Sequence, residues 1–118
     1  MRAFYFLSSC DSCKRILKEL TLHDSIKRID IKKHPLNKEQ LDALYQLSGS
    51  YEALFSKRAQ LYKQRNLKEQ ALSEADYEKL LLEHYTFLKR PVLQFDHQLF
   101  IGNSPKVVTA VKEFLDEQ

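Results

Sequence analysis

Both cysteines of the chain, Cys10 and Cys13, stand one helical turn apart, where the run Phe4-Tyr5-Phe6-Leu7 gives way through Ser8-Ser9 to a helical pattern. That junction constrains the fold more than any other stretch. The apolar run suits a buried strand, and Ile16, Leu17 and Leu20 then recur on one stripe of a helix over residues 11–21. A thiol at the start of that helix meets backbone N–H groups that have no partner inside the helix, and the positive end of its dipole. Lys14 and Arg15 add cationic charge. Each influence favours the thiolate, which is the reactive form. At this spacing the two sulfurs share a face and can pair. The pattern points to redox or nucleophilic chemistry at Cys10, with Cys13 either a second reacting thiol or a small residue facing the core.

A structural zinc site is the competing reading of Cys-x-x-Cys. It needs two further ligands, and the chain has no second cysteine pair. His84 and His97 flank a predicted core segment and supply no close set, so no metal is expected. With 118 residues and 43% hydrophobic content the chain can bury one core without staples. No apolar run reaches membrane-spanning length, and no signal peptide precedes the first strand. Two close thiols in a domain this small suit a reducing cytoplasm better than secretion. The net charge of +3 suits a small anionic substrate and does not imply direct nucleic-acid binding.

The remaining pattern orders the elements. Residues 3–7 read as a strand, and Ile26, Ile29 and Ile31 mark a second, broken by Lys32-Lys33-His34-Pro35. From Asn37, Leu41, Leu44, Tyr45 and Leu47 recur at helical spacing up to Ser48-Gly49-Ser50. Tyr51 to Leu54 forms a short helix. The basic stretch 57–68 reads as a solvated helix face, and the tyrosines at 45, 51, 62, 77 and 85 as packing. Ser73, with Asp76 three residues on, caps a helix carrying Tyr77, Leu80, Leu81 and Tyr85 that Pro91 terminates. Val92–Phe95, the turn Asp96-His97-Gln98 and Leu99–Ile101 read as a β-hairpin, and Ser104-Pro105 starts a last helix. The order is βαβ, a helical insert at about 36–87, then ββα. It describes an α/β chain of thioredoxin-like fold with a mixed sheet, one domain over 1–118.

Three stretches make the reading more specific: Tyr5-Phe6-Leu7-Ser8-Ser9-Cys10-Asp11-Ser12-Cys13, then Leu54-Phe55-Ser56-Lys57-Arg58, then Leu88-Lys89-Arg90-Pro91-Val92-Leu93. In this order and spacing they resemble the arsenate reductase/Spx family. The resemblance implies that Cys10 is the nucleophile, that Arg58 and Arg90 bind an oxyanion, and that Pro91 is the cis-proline of the thioredoxin fold. Read without it, the two arginines are ordinary surface charge at least as readily. The resemblance also implies a third arginine before the last helix. Asn103 stands nearest that place; it donates hydrogen bonds but carries no charge, so a tetrahedral trianion is held less tightly. Cys13 is a second departure, since many glutaredoxin-coupled members carry one thiol in the first motif.

Two functions follow from the resemblance. One is a thiol-dependent reductase of an arsenate-like oxyanion or a small disulfide. There Cys10 attacks and Cys13 or an external thiol resolves, with glutathione, glutaredoxin or thioredoxin as reductant and no bound cofactor. The other is an Spx-like redox regulator that binds the RNA polymerase alpha subunit. For it speak the dithiol and Gly49 in the insert loop, although a helix C-cap explains that glycine as well. The enzyme is the leading reading. Asp11 and Asp30 are candidates to stand behind the thiol, but spacing alone does not place them.

Overall fold

The computed structural model describes all residues, 1–118. The chain runs β1 (Arg2–Phe6), α1 (Asp11–Glu19), β2 (Lys27–Asp30), α2 (Lys38–Ser48), α3 (Tyr51–Leu54), α4 (Gln60–Gln64), α5 (Glu74–Glu83), β3 (Val92–Phe95), β4 (Gln98–Ile101) and α6 (Pro105–Asp116). Two 3-10 turns, Leu67–Glu69 and Tyr85–Phe87, flank α5. No helix is long and apolar enough to cross a membrane. The chain divides into two compact units, Met1–His34 with Arg90–Gln118, and the insert Pro35–Lys89.

The first unit is a four-stranded mixed sheet in the order β2-β1-β3-β4, which with its helices makes a thioredoxin-like fold. β1 pairs parallel with β2 and antiparallel with β3, and β3 pairs antiparallel with β4. Alternation along the strands decides the faces. Phe4 is set opposite Leu93, and both join Phe95, Ile16 of α1, Leu20 just after it, and Val111 and Leu115 of α6 in one apolar cluster. Phe114 closes its edge against Phe95 and Phe100, with ring centroids 5.0 and 5.3 Å away. The hairpin turn needs only two residues, Asp96 and His97, because Asp96 takes a left-handed conformation at φ 54°. Its carboxylate accepts from Arg2 Nη2 at 3.1 Å. At the start of α6 the Ser104 hydroxyl accepts from Val107 N–H, with Pro105 at the first helical position.

The insert begins with a capping box: Asn37 Oδ1 accepts from Gln40 N–H at 2.8 Å, and Gln40 Oε1 from Asn37 N–H at 3.1 Å. α2 ends at Gly49, whose φ of 73° gives the left-handed C-cap. Glu74 reaches across to accept from the first two N–H groups of α3, at 2.7 and 3.1 Å. Phe55, 1% exposed, stacks on Phe87 at 5.1 Å and leans on Tyr77 at 4.9 Å. Backbone bonds from Ser56 N–H to Phe87 O and Lys89 N–H to Leu54 O tie the ends of this segment together.

Three local expectations need correction. The basic stretch 57–68 is not one helix face but α4 followed by a 3-10 turn, separated by Asn66 in a left-handed conformation at φ 52°. α5 stops at Glu83 and not near Pro91, because His84 turns extended and its Nδ1 accepts from Thr86 N–H at 3.0 Å, starting the second 3-10 turn. α1 ends at Glu19, two residues early, with Leu20 extended and buried in the core.

Candidate active site

β1 delivers the chain to the site. After Leu7 the backbone turns, with Cys10 N–H donating to Leu7 O at 3.0 Å, and α1 opens when Lys14 N–H donates to Cys10 O at 3.0 Å. Cys10 is therefore the N-cap of α1, in extended conformation at φ −90° and ψ 119°. Serine, threonine, asparagine or aspartate usually fills that position, where a side-chain oxygen accepts a backbone N–H. A neutral thiol accepts poorly, and Cys10 makes no capping hydrogen bond in that form.

Ionisation changes this. Partial burial works against charge on Cys10, but the Cys13 N–H, the Cys13 thiol, the Arg90 guanidinium and the Ser12 N–H all favour it, and together they hold the thiol below its ordinary value. Cys13 is 0% exposed, and burial first, then the neighbouring Cys10 charge, pushes it up to about 11. Both cysteines are free thiols. The pair is thus polarised: a half-exposed sulfur biased toward thiolate, and a buried one that stays protonated and donates to it.

Arg90 arrives from the other side of the sequence, immediately before β3. Its bond to Pro91 is cis, and Pro91 O accepts from Gly102 N–H at 2.9 Å, fastening that backbone to the end of β4. Arg90 is half-buried and its charge reaches both sulfurs. The structure therefore brings Cys10, Cys13 and Arg90 together. Asn103 lies exposed in the same unit, between β4 and α6. Arg58 lies exposed on the insert, between α3 and α4. No group of three or more His, Cys, Asp or Glu side chains is placed to hold a metal ion.

Sequence reasoning left one contact unplaced. Asp30, 8% exposed at the end of β2, accepts from the Ser8 hydroxyl at 2.6 Å and from Lys32 N–H at 3.2 Å. The signal was an acid between two isoleucines at the end of a buried strand, where a carboxylate needs partners. Asp11, by contrast, is an exposed residue in the first turn of α1.

A thioredoxin-like sheet with a cysteine N-cap, backed by a buried thiol and an arginine before a cis-proline, defines a class of thiol protein. The chain belongs to the ArsC family, whose model matches residues 5–111. It is 32% identical over 103 residues to the uncharacterized protein YusI of Bacillus subtilis (strain 168), covering 84% of this chain and 87% of that one. A possible arsenate reductase from Streptococcus mutans UA159 superposes with a TM-score of 0.71 at 27% identity, covering 98% of each chain. An arsenate reductase from Vibrio cholerae shares the fold with a TM-score of 0.72 at 22% identity, covering 93% of this chain and 96% of that one.

Proposed function

We propose that the protein is a thiol-dependent reductase in which the Cys10 thiolate is the nucleophile and Cys13 the resolving thiol. The observation that carries this reading is placement: Cys10 is a half-exposed free thiol at the N-cap of α1 beside Arg90, and the free Cys13 thiol lies fully buried one turn further on. With a small disulfide as substrate, the Cys10 thiolate attacks one sulfur, a mixed disulfide forms and one thiolate leaves. Cys13 then loses its proton and attacks the Cys10 sulfur. The second thiolate departs and a Cys10–Cys13 disulfide remains, to be reduced by two electrons from thioredoxin, glutaredoxin or two molecules of glutathione. With arsenate, Cys10 displaces hydroxide from arsenic to give a thioester of As(V). Attack of a second thiol on the Cys10 sulfur releases As(III) and leaves the same kind of disulfide.

Arg90 and the N–H groups opening α1 form the anion-binding part of the site. Asn103 supplies a hydrogen-bond donor without charge, which favours a disulfide or a less charged substrate over arsenate. Gly49, the residue that supports the alternative of a polymerase-binding regulator, closes α2 in a left-handed conformation, a role it would have in either protein. The test is turnover measured side by side with arsenate and with a glutathione mixed disulfide. Activity on the mixed disulfide, lost in Cys10→Ser, is expected. No turnover of either substrate, together with capture of the RNA polymerase alpha subunit in a pull-down, would reject the enzyme.

A further inference from the structure

The loop that carries Cys10 is anchored by a contact across the sheet edge. The Asp30 carboxylate, nearly fully buried, takes the Ser8 hydroxyl on Oδ2 at 2.6 Å and the Lys32 N–H on Oδ1 at 3.2 Å. The Asp30 main chain is held as firmly: its carbonyl accepts from Lys33 and His34 N–H at 3.1 and 2.8 Å, and Ile31 N–H donates to Phe6 O at 2.9 Å. Asp30 is thus a rigid post beside the last residues of β1. Ser8, two residues before Cys10, is tied to it by a short charge-assisted bond, while its own neighbours Ser9 and Cys10 lie toward solvent.

We infer that Asp30 and Ser8 are positioning residues for the nucleophile, holding the Leu7–Cys10 turn so that the Cys10 sulfur stays aimed at the N–H groups of α1. The inference rests on the reading of Cys10 as the reactive thiolate. Hydrogen bonding from Ser8, outweighing burial, together with Lys32 N–H, Ser8 N–H and the Lys33 charge, holds the Asp30 carboxyl below the usual carboxylate range, so the post keeps its charge near neutrality. That charge makes the role separable from simple electrostatics. A carboxylate near a thiol raises the thiol's pKa by repulsion. If Asp30 acted on Cys10 only through its charge, Asp30→Asn would ease ionisation. If it acts by holding the turn, loosening the turn costs the sulfur its N–H partners and makes ionisation harder.

The experiment follows the pH midpoint of Cys10 alkylation in the full-length reduced protein, with the labelled sulfur identified by fragment-ion mass spectrometry. Ser8→Ala removes the tether and keeps the charge; Asp30→Asn weakens the tether and removes the charge. Both are expected to raise the midpoint by about half a pH unit, which is roughly threefold less thiolate at fixed pH below it. Ser8→Thr, which keeps the hydroxyl, restores the wild-type midpoint. An unchanged midpoint in Ser8→Ala, or a lowered one in Asp30→Asn, overturns the inference. Should Asp30→Asn fail to fold, Ser8→Ala at its exposed position decides the matter alone. A wild-type Cys10 that alkylates no faster than Cys13 would instead sink the functional reading, and the two failures are told apart by the wild-type trace.

Discussion

The two thiols should react with alkylating agents at very different rates, and the ratio follows from their surroundings. Cys13 is pushed up to about 11, while Cys10 is held below the ordinary value of a thiol, about 8.5, so the two are separated by about two units. At any pH below both midpoints, two units mean about 100-fold more thiolate at Cys10. Nucleophilicity falls with pKa along a Brønsted slope of about 0.4–0.5, which returns roughly eightfold to Cys13. Ionisation alone therefore leaves Cys10 ahead by about tenfold, and the 0% exposure of Cys13 widens the margin by denying access. The perturbation that tests the coupling is Cys13→Ala, which removes the S–H donor facing the Cys10 sulfur. A hydrogen bond to a charged group contributes about 1.5 kcal/mol or more, and a thiol donor roughly half of that, so the Cys10 midpoint should rise by about half a unit. Cys13→Ser, which keeps a donor, should leave it low. Timed iodoacetamide labelling near neutral pH reads both effects. Labelling of Cys13 first, or a Cys13→Ala protein whose Cys10 reacts as fast as wild type, would refute the reasoning.

Arg90→Ala should slow Cys10 alkylation near neutral pH, while Arg90→Lys, which keeps a charge there, should preserve most of the rate. Asn103→Arg should raise arsenate turnover at low arsenate by about tenfold or more, the worth of one added charge-assisted hydrogen bond; no change would show that the missing charge does not limit arsenate use. Tyr5 is 0% exposed, its hydroxyl has no protein partner, and burial pushes it up to about 12. Tyr5→Phe should therefore leave urea stability unchanged or raise it by up to about 1 kcal/mol, and a clear loss would show that the hydroxyl is satisfied.

The elements legible in the sequence were those whose local chemistry and periodicity agree. Asn37, Gly49, Ser73 and Ser104 all cap the helices that the apolar spacing predicts, and the hairpin strands fall within a residue of their runs. What escaped was decided by contacts distant in sequence or by side chains acting on the backbone. The break at His84 depends on an imidazole nitrogen capping Thr86 N–H, which no periodicity announces. The split of residues 57–68 turns on Asn66 accepting a left-handed conformation that glycine would have advertised. In the site, the Cys-x-x-Cys and the arginine before Pro91 could be read directly. The Ser8–Asp30 bond spans 22 positions and emerges only when β1 and β2 lie side by side.

The use of Cys10 as an N-cap has a consequence for how a chemical event at the sulfur is felt by the chain. An oxygen cap serves its helix at every ordinary pH, whereas sulfur serves well only as an anion. Since the folded chain holds the Cys10 thiol below its ordinary value, the support it lends α1 is present above the unfolded thiol's pKa and fades as pH falls through the folded one. A mixed disulfide or an alkyl group removes the same negative charge that acid removes. Each leaves the opening turn of α1 without its anion, so the bonding state of one atom is transcribed into the fraying of a helix end. Amide exchange at Ser12 and Cys13 would then report turnover intermediates directly, as a conformational echo of the bond.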